Sequence, residues 1–182
     1  MSRLEHESSN KVHFERLYTS NRDGILAYLM CRVASPSDAA DLLADTFLIA
    51  WRKIEDVPEG NGGRLWLYGV ARRVLANHRR HEKVEGNLAK TLRNNLGLKI
   101  AEGKSKRDVP FDDVIEQALR RLSHSDREVI ELSAWDQLTP TEIAQITGAK
   151  VGNVRVRLLR IRRVLSEHLI RAGYPDPNQL VP

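Results

Sequence analysis

The sequence predicts an all-α protein, built as two small helical domains joined by a flexible linker, the C-terminal one containing a helix-turn-helix. Strand signals are nearly absent: no sustained apolar/polar alternation and no Asn-Gly hairpin between β-branched runs. Apolar residues recur instead at helical intervals through most of the chain. Across residues 83–110 that stripe stops, Gly86, Gly97 and Gly103 appear, and the charged run 104–108 leads into Pro110, the signature of a linker. The expected domains are 10–82 and 111–170, with a tail at 171–182.

In the first domain, residues 12–33 place Phe14, Leu17, Tyr18, Leu26, Leu29 and Val33 at mostly helical spacing. Ser35-Pro36-Ser37-Asp38 then reads as a helix start, with a hydroxyl cap, Pro in the first turn and an acid behind it. The helix that follows, to about Ile54, turns Ala39, Leu42, Leu43, Thr46, Phe47, Ala50 and Ile54 to one side. Asp38, Asp41 and Asp45 gather nearly opposite, beside Leu48. The helix dipole accounts for Asp38 and in part for Asp41. Asp45 lies two turns in, where an acidic ridge beside an exposed Leu suits docking onto a basic helical partner.

Residues 58–63 (PEGNGG) form a loop on composition. The helix at 64–82 buries Leu67, Val70, Ala71, Val74 and Leu75. No acid occurs between Gly60 and His81, whereas Arg64, Arg72, Arg73, Arg79 and Arg80 do. Trp66 and Tyr68 interleave with them, the ingredients for stacking on unpaired bases and holding a single strand. Aromatic core residues under a solvated basic face are the plainer reading of the same helix.

The second domain opens with helices at 111–122 and 125–135, the latter with Ser125 as cap and Glu128 three residues on. Then comes TPTEIAQITGAKVGNVRVRLLRIRRVL, residues 139–165. Ile143, Ala144 and Ile146 make the apolar face of a short helix, and Gly148 stands where the turn needs a residue without a Cβ. Val151, Val154, Leu158, Ile161 and Leu165 form the buried stripe of the next helix. At about 100° per residue, Val156, Leu159, Arg160 and Arg163 point away from it, with Arg155 at the margin. No acid occurs between Glu142 and Glu167. A helix presenting one sign of charge suits phosphates and guanine edges, so this face is read as DNA-binding.

Net charge is +5, yet residues 1–82 carry 12 basic and 11 acidic side chains, residues 83–110 carry 7 and 3, and residues 111–182 carry 10 of each. A nucleic-acid surface must therefore come from local segregation of sign. The single cysteine, Cys31, excludes an intramolecular disulfide and a Cys-based zinc site, and reads as a small core residue. No apolar run approaches the roughly 20 residues of a membrane span, and no signal peptide is recognised, so a cytoplasmic protein without membrane insertion is expected. Paired catalytic carboxylates, a nucleophile with its base, a phosphate-cradling glycine loop and a metal-ligand cluster are all missing. No enzyme, cofactor or metal is expected.

Three segments in this order resemble the bacterial RNA polymerase sigma factors of the extracytoplasmic-function (ECF) type, within the sigma-70 family. DAADLLADTFLIAWRKI resembles their core-polymerase-binding helix, WLYGVARRVLANHRR their promoter −10 helix, and the stretch from LSHSDREVIELSAWDQLTP to the end of the arginine-rich helix their −35 module. The resemblance implies docking on β′ clamp helices through Asp38, Asp41, Asp45, Leu48 and Trp51, Trp51 having a core reading as well. It implies −10 contacts from Asn61, Arg64, Trp66, Arg72, Arg73, Asn77 and Arg80, with an extruded base captured by the loop 57–63. For the −35 duplex it implies Arg155, Val156, Leu159, Arg160 and Arg163, with Thr139, Thr141, Gly152 and Asn153 anchoring phosphates at helix N-termini. Its further partners are the β flap and an anti-sigma factor. Ala40, Ala44 and Arg73 depart from the family's usual residues, and the linker, often acidic in relatives, is net basic. The rival reading is a stand-alone helix-turn-helix regulator with an N-terminal dimerisation or sensing domain.

Overall fold

The computed structural model describes residues 3–96 and 113–175. These residues form helices and turns, with no strand among them. The helices are α1 (Arg3–Met30), α2 (Pro36–Arg52), α3 (Asn61–Leu96), α4 (Asp113–Arg120), α5 (His124–Ala134), α6 (Pro140–Thr147) and α7 (Val151–Arg171), with a 3₁₀ turn at Ile54–Asp56. They divide into two compact units, α1–α3 and α4–α7.

In the first unit α1, α2 and α3 pack pairwise around Ile25, Tyr28, Leu29, Leu42, Phe47, Leu67 and Val70. Tyr28 of α1 meets Tyr68 of α3 edge to face, ring centroids 5.3 Å apart. The expected cap is present: Ser35 Oγ accepts from the Asp38 amide at 3.0 Å, with Pro36 in the first turn. Thr46 is fully buried because its hydroxyl donates to the Leu42 carbonyl at 2.7 Å, inside its own helix.

Both ends of the first unit differ from the sequence reading. Helix α1 begins at Arg3 rather than near Val12. His6 and Asn10 reach Glu55 in the 3₁₀ turn at 2.9 and 3.2 Å, which ties the polar first turns down without an apolar stripe. Helix α3 continues to Leu96, so residues 83–96, read as linker, are helical. Loss of the stripe marks where burial ends, not where helix ends. KVEGNLAKTLRNNL is rich in helix formers, lacks Pro and contains a single Gly, costing about 1 kcal/mol. Residues 97–110 of the expected linker and 176–182 of the expected tail lie outside the described residues.

The loop read at 57–63 is shorter as well. Val57 belongs to the core, Gly60 takes φ +60°, and Asn61, Gly62 and Gly63 already form the first turn of α3.

The second unit packs α4, α5 and α6 against α7 or one another around Leu119, Val129, Leu132, Leu138, Ile143, Val154, Leu158 and Ile161. The cap of α5 is Ser123, whose Oγ accepts from the Asp126 amide at 3.2 Å, not Ser125. Ser123–Asp126 and Ser125–Glu128 satisfy the same pattern two residues apart, and the first frame buries Val129, Ile130 and Leu132. Helix α6 is closed by a full capping box between Thr139 and Glu142, and Gly148 turns the chain at φ +71°.

Candidate nucleic-acid interface

Helix α7 buries Val154, Leu158 and Ile161 and half-buries Val151 and Leu165, the stripe expected from spacing. Opposite it, Val156 and Leu159 are 67 and 74 % exposed, large values for apolar side chains. Arg155, Arg160 and Arg163 are exposed on the same side. Helices α2, α5 and α6 start under a hydroxyl cap, whereas α7 starts at Lys150 without a side-chain cap. Its first-turn amides, at the exposed Gly152 and Asn153, therefore remain available to an anion.

Two expectations need correction here. Thr139 is not a free phosphate anchor: its hydroxyl donates to Glu142 Oε2 at 2.8 Å and accepts from the Glu142 amide at 3.3 Å. Thr141 remains exposed. The arginines of α7 are also not an unbroken positive face, because acids arrive from elsewhere in space. Asp126 of α5 accepts from Arg157 Nε and Nη2 at 2.9 and 2.8 Å and from Arg160 Nη2 at 2.8 Å. Arg162 reaches Ser133 at 3.3 Å, and Arg163 pairs with Glu167 one turn on at 3.1 Å. The last is an exposed i,i+4 pair worth a few tenths of a kcal/mol, too little to withhold Arg163 from a phosphate. Arg155 has no partner among the described residues.

Burial pushes the Asp126 carboxyl up, but hydrogen bonds from Arg157 and Ser123, with the charges of Arg157 and Arg160, more than offset it. The net shift is below the ordinary value of 3.8. A lowered folded-state value contributes stability that is fully present above about pH 4 and is lost as pH falls from there through the lowered value. Asp126→Asn is accordingly expected to cost about 2 kcal/mol at pH 7. The gap in urea midpoint between wild type and variant should hold from pH 7 to 5 and narrow progressively once pH falls below about 4. A gap that does not narrow at all before acid unfolding would contradict this assignment.

In the first unit, Trp66, Arg73 and Asn77 of α3 come together in a cleft of about 290 Å³ that also takes in Lys53 and Asp56. Arg80 lies one turn further along the same face. Arg64 and Arg72 are half-buried on other sides of the helix, Arg64 with its guanidinium 5.7 Å from the Tyr68 ring. Asn61, exposed, opens the helix. On α2, Asp41 and Asp45 are exposed and Asp38 is half-buried. Leu48 and Trp51 are each 45 % exposed, and Trp51 rests edge-on against Phe14 with centroids 5.1 Å apart. Trp51 is thus both core edge and surface.

Comparison with known proteins places both units. The family described as Sigma-70 region 2 matches residues 17–84, and Sigma-70, region 4 matches residues 112–165. The ECF RNA polymerase sigma factor SigC of Mycobacterium tuberculosis is 30 % identical over 129 residues, covering 70 % of this chain and 68 % of that one. The chain belongs to the ECF sigma factors. A second relative, the ECF sigma factor BldN of Streptomyces coelicolor, is 28 % identical over 86 % of this sigma factor, which spans 60 % of BldN's length. The sigma factor RpoE of Bartonella quintana, solved with the anti-sigma factor NepR, shares the fold at TM-score 0.61, with 23 % identity over 86 % of this chain and 96 % of that one. No helix among the described residues is long and apolar enough to cross a membrane.

Sequence reasoning missed four residues that shape these surfaces of the sigma factor. Asp126 was hidden as a helix-start acid, and Lys53 and Asp56 as the segment that follows α2. Arg32 is buried, stacks 3.9 Å above Tyr28 and donates to the Tyr28 carbonyl at 2.8 Å, while its own carbonyl accepts from Arg79 at 3.3 Å. Arg79 therefore fastens α3 to the turn after α1.

Proposed function

We propose that this sigma factor makes no bond chemistry of its own and works in the cytoplasm by directing core RNA polymerase to its promoters. The acidic ridge of α2 (Asp38, Asp41, Asp45, with Leu48 and Trp51) docks on the β′ clamp helices. The cleft of Trp66, Arg73 and Asn77, with Asn61 at the helix start and Arg64, Arg72 and Arg80 along the helix, serves the −10 element. There an unstacked base, which costs a few kcal/mol to extrude, would find aromatic and hydrogen-bonding partners. Helix α7 reads the −35 duplex through Arg155, Val156, Leu159, Arg160 and Arg163, with Thr141 and the Gly152 and Asn153 amides on phosphates. Thr139 serves the fold of that module instead. The second unit also meets the β flap, and a dedicated anti-sigma factor holds the protein inactive, as family membership implies.

The observation that carries this reading is the outward face of α7. Two apolar side chains suited to thymine methyls stand between arginines, beyond an uncapped helix start. Reconstitution tests it: purified chain and core polymerase together should initiate at promoters near its own coding sequence, and neither should alone. Tight, specific duplex binding by the chain without polymerase would favour the stand-alone regulator. Within the reading, Arg160→Ala is expected to lose about 1–3 kcal/mol on the selected −35 duplex. Equal loss on scrambled DNA would reduce Arg160 to a phosphate contact.

A further inference from the structure

The recognition helix does not carry its arginines alone; α5 supplies a frame. Asp126, in the first turn of α5, is 14 % exposed at its side chain and offers its two oxygens to different arginines. Oδ1 takes Nε and Nη2 of Arg157, whose Nη2 also reaches Ser125 Oγ at 2.7 Å. Oδ2 takes Nη2 of Arg160 at 2.8 Å. Arg157 is thereby spent on the fold. Arg160 is not: its side chain is 63 % exposed and its contact with Asp126 uses one nitrogen of a fork that carries five N–H donors.

That partial tether matters because the two targets on DNA make different demands. A phosphate is satisfied by a guanidinium from many directions. The O6/N7 edge of guanine needs the fork in plane and in register. A long side chain fixed beforehand loses less rotamer freedom when it binds, and the advantage falls only on the target that needs the fixed orientation. The carboxylate's own charge repels the phosphates of every duplex alike. Asp126 therefore lowers affinity uniformly and raises discrimination at one place.

We propose that Asp126 is a positioning residue for promoter reading, its carboxylate fixing the guanidinium plane of Arg160 toward one base pair without touching DNA. The inference rests on α7 reading the −35 element. The test uses the full chain assembled with core polymerase and duplexes selected by wild-type holoenzyme from a pool randomised upstream of the start site. In Asp126→Asn, preference at one or two adjacent base pairs should fall at least ~5-fold. Affinity for scrambled duplex should be unchanged or higher. Arg160→Lys, which keeps charge but not the fork, should flatten the same pair, and adding Asp126→Asn to it should change nothing further. Loss spread evenly over all positions, or undiminished preference, overturns the proposal. Should Asp126→Asn fail to fold, Asp126→Glu keeps a charge for Arg157 while moving the carboxylate. Flattening at the same pair then supports the proposal, and wild-type preference overturns it. If wild-type holoenzyme shows no upstream preference, the −35 reading itself falls and takes this inference with it. If wild type and the Asp126 variants read the segment equally, only this inference falls.

Discussion

Asp45→Arg is expected to weaken holoenzyme assembly ~10- to 100-fold while leaving the fold intact. Asp45 is exposed two turns into α2, past the reach of the helix dipole, and no hydrogen bond or salt bridge ties it to the described residues. Removing it therefore costs the sigma factor's own structure little, within the usual few tenths of a kcal/mol for a surface change. Reversing its charge opposite a basic helix does more than delete an attraction, because like charges brought together at an interface cost several kcal/mol before screening. Salt weakens such pairs over about 8–10 Å, so the deficit should be largest in low-salt buffer and shrink as salt rises. Fluorescence titration of labelled chain against core polymerase measures it, with circular dichroism as the fold control. Wild-type affinity, or a loss matched by lost helix content, would remove the acidic ridge from the docking account. The neighbouring Leu48 sets the comparison: Leu48→Ala should weaken assembly with no salt dependence, since its share is apolar burial.

What the sequence made legible is whatever depends on near neighbours. Ser35-Pro36 announces the start of α2, Gly148 the turn before α7, and the stripe Val154, Leu158, Ile161 its buried side. Each is fixed by an interaction within a turn or two. The Asp126 network was not legible, because its partners lie 31 and 34 residues away and the acid-free run around Arg157 and Arg160 pointed the other way. Counting charges along a helix says nothing about acids delivered by the helix packed against it. The cleft beside Trp66 escaped for the same reason: Lys53 and Asp56 reach it from the 3₁₀ turn that follows α2. The length of α3 was missed through a criterion that detects burial instead of helix.

Gly63→Ala is expected to damage strand opening while sparing polymerase docking, and the reason lies in one contact. A Cβ at Gly63 would stand 2.5 Å from the Pro58 carbonyl oxygen and 3.0 Å from Leu17 Cδ1. The first is backbone and cannot rotate aside, so the 58–60 loop or the first turn of α3 has to move. Alanine favours a helix over glycine by about 0.5–1 kcal/mol, and less in a first turn, whereas forcing extra volume into a packed site costs about 1–3 kcal/mol. The clash wins, and the variant should be destabilised by about 1–2 kcal/mol. Gly69→Ala in the same helix meets nothing within 4 Å and is expected to stabilise by about 0.5 kcal/mol, which separates the clash from any general intolerance of alanine. Gly60→Ala also meets nothing but must hold φ +60°, so its cost of about 1–2 kcal/mol stays local strain. The displaced segment in Gly63→Ala leads straight into the helix that carries Trp66, Arg73 and Asn77, while Asp41 and Asp45 stand on the outward face of α2. Permanganate footprinting of unpaired thymines at the −10 element should therefore show opening reduced on the order of tenfold, at a loss of about 1.4 kcal/mol, with core affinity unchanged. Normal opening by a folded Gly63→Ala protein would mean that the loop before α3 takes no part in capturing the extruded base, and the −10 role would pass to the far end of the cleft around Asn77 and Arg80.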